Sequence, residues 1–249
     1  MPSVTTRIGE VRQPKGGFIP RTRFKATKID DGILLEKENI DPRLVGITVD
    51  YLTRMTQGCI AQDAFSISLL GARNIHKEGI ALSLLKDIKG LSRTSVANAC
   101  RLASFDKYLR TSIREYTPVE SISPDEKTIN NIITMVNRGI IFFRKHGPVV
   151  MNGVTFPGGY TITVDSGDGD FLTSDTLWDF KVSTAEPTSK HTLQLLVYYI
   201  MGCHSIHREF QKIQYLGIFN PRLNKVYRLD IANIDEDVIK TIEREVICY

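Results

Sequence analysis

The chain has 249 residues, of which 42% are hydrophobic and 24% charged, and its formal net charge is +4. A chain of this length can bury a full hydrophobic core, so disorder is not the expectation. No stretch approaches the ~18 consecutive apolar residues of a membrane span, and residues 1–12 lack the apolar segment of a secretory signal. We therefore expect a soluble, cytoplasmic protein that does not bind membranes.

The first segment, residues 1–44, is rich in Pro and Gly and shows no sustained hydrophobic period. This pattern predicts a basic arm or an extended edge segment, ordered against a partner. Two stretches, residues 1–30 and 82–115, each carry seven Lys or Arg residues against two or three acids. Such local excesses suit a phosphate backbone, although a solvated surface explains them equally well.

Residues 45–121 are predicted to be a helical region. Apolar residues recur every three or four positions from Ile47 to Leu70, which predicts a helix broken near Gly58. Similar spacing predicts helices over Gly79–Ile88 and Ser92–Ile113, separated at Gly90.

Residues 122–249 form the predicted core, in the order αβββαβ with additions. Its first helix begins with a capping box from Ser123 to Glu126 and stops before Gly147-Pro148. Periodicity and turn residues then predict the strands Tyr160–Val164, Asp170–Thr173 and Leu177–Ser183, the helix Lys190–Gly202, the strands Lys212–Phe219 and Lys225–Ile231, and the helix Asp235–Val246. The fold class is α/β, of the α+β type.

The densest cluster of chemically useful residues lies on two of these strands. Side chains alternate along a strand, so Asp179 and Lys181 share one face while Trp178 and Phe180 share the other. If the preceding strand pairs as a hairpin, Asp170 approaches Asp179, and two carboxylates facing one point suit a hard divalent cation. Mg²⁺ or Mn²⁺ fits best, with an ammonium group nearby to orient water or hold a phosphate.

The sequence from Gly167 to Leu172, the run Leu-Trp-Asp-Phe-Lys that ends at Lys181, and a later Gln-x-x-x-Tyr together resemble the PD-(D/E)xK nuclease superfamily, in its RecB-type branch. Gln194 and Tyr198 lie one helical turn apart on the same face. The resemblance covers about residues 123–231. It implies a restriction-endonuclease-like core beside the helical N-terminal region, with Asp170, Asp179 and the Phe180 carbonyl as metal ligands.

The implied function is metal-dependent hydrolysis of phosphodiester bonds, with DNA favoured over RNA as the substrate and with Lys181 positioning the attacking water. Gln194 and Tyr198 support this site or contact the nucleic acid. Expected phosphate contacts are Lys190, His191, Arg21, Arg23 and Lys25. Two alternatives stay open: a catalytically silent module of the same fold that binds nucleic acid or a protein partner, and a helical interaction protein with structural acidic strands. A homo-oligomer is compatible with each.

Other residues that resemble metal ligands have simpler explanations. His146 ends a helix, where a cation stabilises the helix dipole, and Glu126 fits a capping box. Asp165 and Asp168 flank glycines as ordinary turn residues. The group Cys203, His204 and His207 lacks the paired spacing of a zinc site, and four cysteines spread over the chain argue against a disulfide scaffold or an iron–sulfur cluster.

Overall fold

The computed structural model describes residues 2–111 and 115–249, apart from the side chain of Arg110. Arg114 of the second basic stretch and Ile113, the predicted end of a helix, therefore lie outside the described residues. The helices are α1 Val4–Glu10, α2 Pro42–Thr56, α3 Ala61–Ala64, α4 Ser66–Asn74, α5 Glu78–Lys86, α6 Arg93–Ala103, α7 Lys107–Arg110, α8 Glu126–His146, α9 Ser189–Cys203 and α10 Glu236–Ile242. Among the described helices, none is long and apolar enough to cross a membrane.

The strands form a six-stranded sheet in the order β1-β6-β5-β4-β3-β2. Their bounds are β1 Lys25–Lys28, β2 Val149–Val154, β3 Gly169–Thr173, β4 Thr176–Phe180, β5 Tyr215–Asn220 and β6 Lys225–Asp230. Strands β4 and β5 are parallel, and all other neighbouring pairs are antiparallel. The molecule thus belongs to the mixed α+β class, as the sequence predicts.

The chain divides into two compact units. The sheet unit comprises Met1–Asp30 and Phe143–Tyr249, and the helical unit comprises Asp31–Phe142. The sequence placed these boundaries elsewhere, after residues 44 and 121. Helix α8 crosses the division, since its residues up to Phe142 belong to the helical unit and the last four to the sheet unit.

The helical unit contains the helix breaks that the sequence predicts at Gly58 and Gly90. Gly58 and Gly90 both have positive φ, at 90° and 75°, which glycine adopts without steric cost, and they separate the helices where the sequence indicates. The predicted helix beginning at Ser92 is interrupted by a 3-10 turn, Ser104–Asp106. Buried Asp106 accepts hydrogen bonds from Tyr51 Oη and Ser68 Oγ, both at 2.6 Å. These hydrogen bonds give each carboxylate oxygen of Asp106 a partner, which explains how an acidic residue is accommodated in the core.

Helix α8 starts two or three residues later than the predicted capping box. Its first turn is capped by Asp125, whose Oδ1 accepts from the Thr128 amide at 2.8 Å. Asn39 explains the delay, because its amide donates to the Ser123 carbonyl and its Oδ1 accepts from the Asp125 amide, each at 3.0 Å. The capping-box prediction for Glu126 is therefore wrong, since this long-range clamp engages the backbone before the helix begins.

One prediction for the sheet unit also fails. Tyr160–Val164 forms a turn, in which Thr161 Oγ1 accepts from the amides of Thr163 and Val164, and the first core strand is β2 instead. The N-terminal segment contains α1 and β1, and β1 is an edge strand of the sheet, which agrees with the extended edge segment that the sequence predicts. Val4 and Ile8 of α1 are buried in the core, and β1 pairs with β6.

The two faces of the sheet are both covered in the sheet unit. The face of Asp179 carries a core of Leu177, Leu216 and Ile218 with α9 packed on it. The other face carries an aromatic cluster, in which the Phe180 ring lies 4.7 Å from Phe171 and 5.4 Å from Phe143. The predicted apolar face of β4 is thus confirmed, and the acidic face is buried as well.

Candidate active site

Asp170 and Asp179 come together through the β3–β4 hairpin. Phe171 pairs with Trp178 and Leu172 with Leu177, so continuing this register by one residue places Asp170 opposite Asp179. Directly opposed residues share a face of the sheet. Asp170 Oδ2 also accepts a hydrogen bond from the Phe180 amide at 2.7 Å, which fixes its carboxylate against the end of β4.

The Asp179 carboxylate is buried, and only one of its two oxygens has a hydrogen-bond partner among the described residues. The residue is 3% exposed, and its Oδ1 accepts from Lys181 Nζ at 2.9 Å. Its Oδ2 has no hydrogen-bond partner among the described residues. A buried, unpartnered carboxylate oxygen is costly, so its persistence in a fold indicates a functional reason or a bound cation.

Helix α9 completes a chain of polar contacts. Lys181 Nζ donates to Gln194 Oε1 at 3.3 Å, and Gln194 Nε2 donates to the Tyr198 hydroxyl at 2.8 Å. Gln194 and Tyr198 are 8% and 2% exposed. The polar face predicted for this helix is therefore present and buried, and it joins the strand residues through Lys181.

Tyr198 stays protonated in this environment. Burial raises the pKa of its hydroxyl far above the usual value of 10, against the lowering effect of the Gln194 hydrogen bond. The negative charges of Asp168, Asp179 and Asp170 raise this pKa further. Burial and the three nearby carboxylates therefore act on this hydroxyl in the same direction.

The donor set fits a magnesium-type cation with few protein ligands. Within the described residues, no three His, Cys, Asp or Glu side chains converge as a metal site. Mg²⁺ commonly uses only one or two carboxylates and keeps several waters, so Asp170 and Asp179 suffice. The buried Asp179 Oδ2 is the atom that such a cation would satisfy. The hydrogen bond to Asp170 does not oppose this, because a carboxylate offers about four lone-pair positions.

Lys190 and His191 lie in the first turn of α9. Lys190 is exposed, whereas His191 is partly buried and its Nδ1 accepts from the Thr188 amide at 3.2 Å. Burial and then the positive charge of Lys181 lower the pKa of His191. The neutral ring therefore carries its proton on Nε2, where it is a hydrogen-bond donor rather than a cation.

The three basic residues near the N-terminus that were expected to contact phosphates each have a different environment. Arg21 pairs with Glu186 at 3.2 Å, and Arg23 donates to the Asn233 carbonyl. Lys25 lies exposed on β1. Glu186 accepts hydrogen bonds from Lys225 and Tyr227, which lower its pKa. Its position before Pro187 is the only local signal of this role in the sequence.

The other residues that resemble metal ligands in the sequence make different contacts. His146 stacks edge-on against Trp178 with ring centroids 5.2 Å apart, and Glu126 forms an ion pair with Arg93 in the helical unit. Burial lowers the pKa of His146, which disfavours the cationic form expected at the helix end. His204 stacks on Tyr249 at 4.0 Å.

Hydrogen bonds therefore join Asp179, Lys181, Gln194 and Tyr198, and Asp170 lies opposite Asp179 and accepts from the Phe180 amide. Arg21 and Arg23 make other contacts in the sheet unit, and Lys25 lies exposed on β1. No protein family model, curated protein or solved structure matches this chain.

Proposed function

We propose that the sheet unit is a metal-dependent nuclease of the PD-(D/E)xK type, which hydrolyses phosphodiester bonds in DNA. The observation that carries the proposal is the buried Asp179 Oδ2, which has no hydrogen-bond partner in the described part of the chain although the same carboxylate binds Lys181. The element order supports it, because α8, β2, β3, β4, α9 and β5 follow one another as α, β, β, β, α, β. A restriction-endonuclease-like core has this order.

Asp170, Asp179 and the Phe180 carbonyl would hold Mg²⁺ or Mn²⁺. Such a cation, when bound, supplies charge stabilisation at the scissile phosphate and lowers the pKa of a bound water. The short spacing between the Asp170 carboxylate and the Phe180 main chain, 2.7 Å from Oδ2 to the amide nitrogen, keeps this part of the site compact.

Lys181 is the residue that positions the reactants. Its ammonium donates to Asp179 Oδ1 and Gln194 Oε1, which hold it beside the carboxylates, where it would contact a phosphate oxygen or the attacking water. Its side chain is 23% exposed, so substrate can reach it. Tyr198 in turn fixes the Gln194 amide, so α9 sets the direction of the ammonium.

The first turn of α9 supplies the phosphate contacts. Free backbone amides at a helix N-terminus attract anions, and exposed Lys190 adds a charge there. The neutral His191 ring adds a hydrogen-bond donor in the same turn. These groups would bind a phosphate beside the one that is cleaved.

The test is incubation of the purified chain with linear duplex DNA, circular duplex DNA, single-stranded DNA and RNA, each with and without Mn²⁺. We expect cleavage of DNA only with the metal. Lys181→Ala should reduce the rate by about 10²–10³, because it removes a charge placed at the reacting phosphate. Lys240→Ala, an exposed lysine on α10, is the matched control and should leave the rate unchanged.

The silent-module alternative predicts a different result. The wild-type chain would then bind DNA equally with and without Mn²⁺ and leave every substrate intact. Binding without cleavage in all four substrates would replace the nuclease proposal with that alternative.

A further inference from the structure

A basic cavity of about 190 Å³ lies in the sheet unit, outside the proposed active site. It is lined by Lys25, Thr27, Ile29, Lys145, His146, Val226 and Arg228. Pockets for drug-sized ligands run from about 300 to 1,000 Å³, so this cavity suits a smaller occupant, such as a single polyatomic anion.

The strand register places this cavity on the opposite face of the sheet from Asp179. Trp178 pairs with Gly217, Gly217 with Arg228, and Arg228 with Lys25, so these residues form one row across the sheet. Trp178 and Asp179 are consecutive on β4 and therefore point to opposite faces. The contact between His146 and the Trp178 ring, at 5.2 Å, confirms that the cavity shares the Trp178 face.

Arg228 is held in place at the cavity wall. Its Nη2 donates to Asp175 Oδ2 at 2.7 Å, and its guanidinium lies 3.6 Å from the centre of the Tyr215 ring. Its Nε is buried and has no hydrogen-bond partner within the described part of the chain. A guanidinium oriented by a carboxylate and an aromatic ring loses little freedom when it binds an anion.

The remaining cations are not neutralised. Neither Lys25 nor Lys145 forms an ion pair with any residue that the structure describes. With Arg228, they make three permanent cations against the single carboxylate of Asp175, which leaves a local excess of two positive charges. A free or terminal phosphate group carries about −1.5 to −2 at neutral pH, which matches this excess.

The pKa of His146 reflects the same excess of positive charge around the cavity. Burial lowers its pKa first, and the positive charges of Lys145 and Arg228 lower it further, whereas Asp175 acts in the opposite sense. The His146 ring is therefore neutral where it lines the cavity. An anion that enters the cavity should raise its pKa.

We propose that this cavity binds a phosphate group, either free or carried on a nucleic-acid strand. An Arg fork combined with two ammonium groups offers donors from several directions, which suits a tetrahedral oxyanion better than a planar carboxylate. The proposal goes beyond the proposed nuclease function and does not depend on it, since none of the cavity residues belongs to the acidic site.

The experiment is an NMR titration of the histidine side chains with inorganic phosphate, at constant ionic strength maintained with chloride. We expect saturable shifts and a raised pKa at His146, and smaller changes at His191, which lies beside the acidic site. The double variant Lys25→Gln/Lys145→Gln should weaken phosphate binding about tenfold. Both lysines are exposed and make no ion pair among the described residues, so the fold should persist.

Lys240→Gln removes one positive charge on α10, against two in the double variant, and should bind phosphate as the wild type does. Two further arms use a 5′-phosphorylated dinucleotide and its 5′-hydroxyl form. A shift at His146 with the phosphorylated form alone assigns the cavity to a terminal phosphate, and equal shifts assign it to a phosphodiester. No response at His146 to any of these probes, or equal weakening in the double variant and Lys240→Gln, would overturn the proposal.

Discussion

Gln194 and Tyr198 form a 2.8 Å hydrogen bond between the amide nitrogen Nε2 and the phenolic oxygen, one turn apart on α9. Because the amide nitrogen is engaged there, the amide oxygen faces Lys181 Nζ, at 3.3 Å. A tyrosine that is 2% exposed thus decides which end of Gln194 reaches the charged residues of the site.

Tyr198→Phe should lower the free energy of unfolding by about 1–3 kcal/mol, because it leaves the buried Gln194 amide nitrogen without its acceptor. Gln194→Leu should also destabilise the protein. The double variant should lose less than the sum of the two, since the second change removes a group that has already lost its partner. Urea denaturation of the four proteins measures this coupling. Losses that add to within about 0.5 kcal/mol would show that the bond contributes no coupling.

Asp179→Asn should abolish the stabilisation by Mg²⁺ or Mn²⁺ while leaving the stability without metal unchanged or slightly higher. The asparagine Oδ1 still accepts from Lys181, and removing one charge relieves repulsion with Asp170. A ligand that binds only the folded state raises the melting temperature, so a thermal-shift titration with each metal is the measurement.

Asp170→Asn should behave in the same way, and the double variant should be little worse than either single one, because the two acids act as one metal site. Glu209→Gln, in the 3-10 segment Arg208–Lys212, is a control that should keep the metal response. A full metal-induced shift in Asp179→Asn would refute the site.

Lys190→Gln should weaken DNA binding and reduce the slope of log K against log salt concentration by about 0.7–0.9, the value for one lost phosphate contact. Arg21→Gln should change this slope much less, since Arg21 already pairs with Glu186 at 3.2 Å. Fluorescence anisotropy over a salt series, without divalent metal, measures both slopes. An equal change in the two variants would mean that the Glu186 pair does not hold Arg21 away from DNA.

Asp31→Asn should destabilise the helical unit by roughly 2–3 kcal/mol, somewhat below the range for a fully buried pair. Arg138 is 4% exposed, and its guanidinium donates to the two Asp31 oxygens at 2.6 and 2.8 Å. The hydrogen bond from Arg138 lowers the pKa of Asp31 below 3.8, so the unfolded state binds more protons between that pKa and 3.8. The stabilisation is therefore complete above this window and is lost as the pH falls through the folded-state pKa.

Urea denaturation at pH 7 and at acid pH checks this prediction. The stability difference between wild type and Asp31→Asn should shrink as the pH falls. Asp63→Asn, an exposed acid of the same unit, should show little difference at either pH. A difference that stays constant with pH would contradict the assignment to the Asp31 carboxylate.

Local pattern was sufficient to locate much of the sheet unit and the main residues of its site. Alternation along β4 separated Asp179 from Trp178 and Phe180, and the spacing of Gln194 and Tyr198 put both on one face of α9. These predictions succeeded because strand and helix periods fix side-chain direction before any tertiary contact forms. The helix breaks at Gly58 and Gly90 have the same local origin.

Tertiary structure decided the features that depend on distant partners. The sequence could not place β1 beside β6, because that pairing joins residues about 200 positions apart, nor delay α8 through the clamp of Asn39. It also could not show that Asp179 would be buried with one oxygen that has no partner among the residues the structure describes, or that Arg228 and Lys25 would meet at a cavity. Burial and charge pairing depend on which elements pack together, and a hydrophobic period records only which face of each element is apolar.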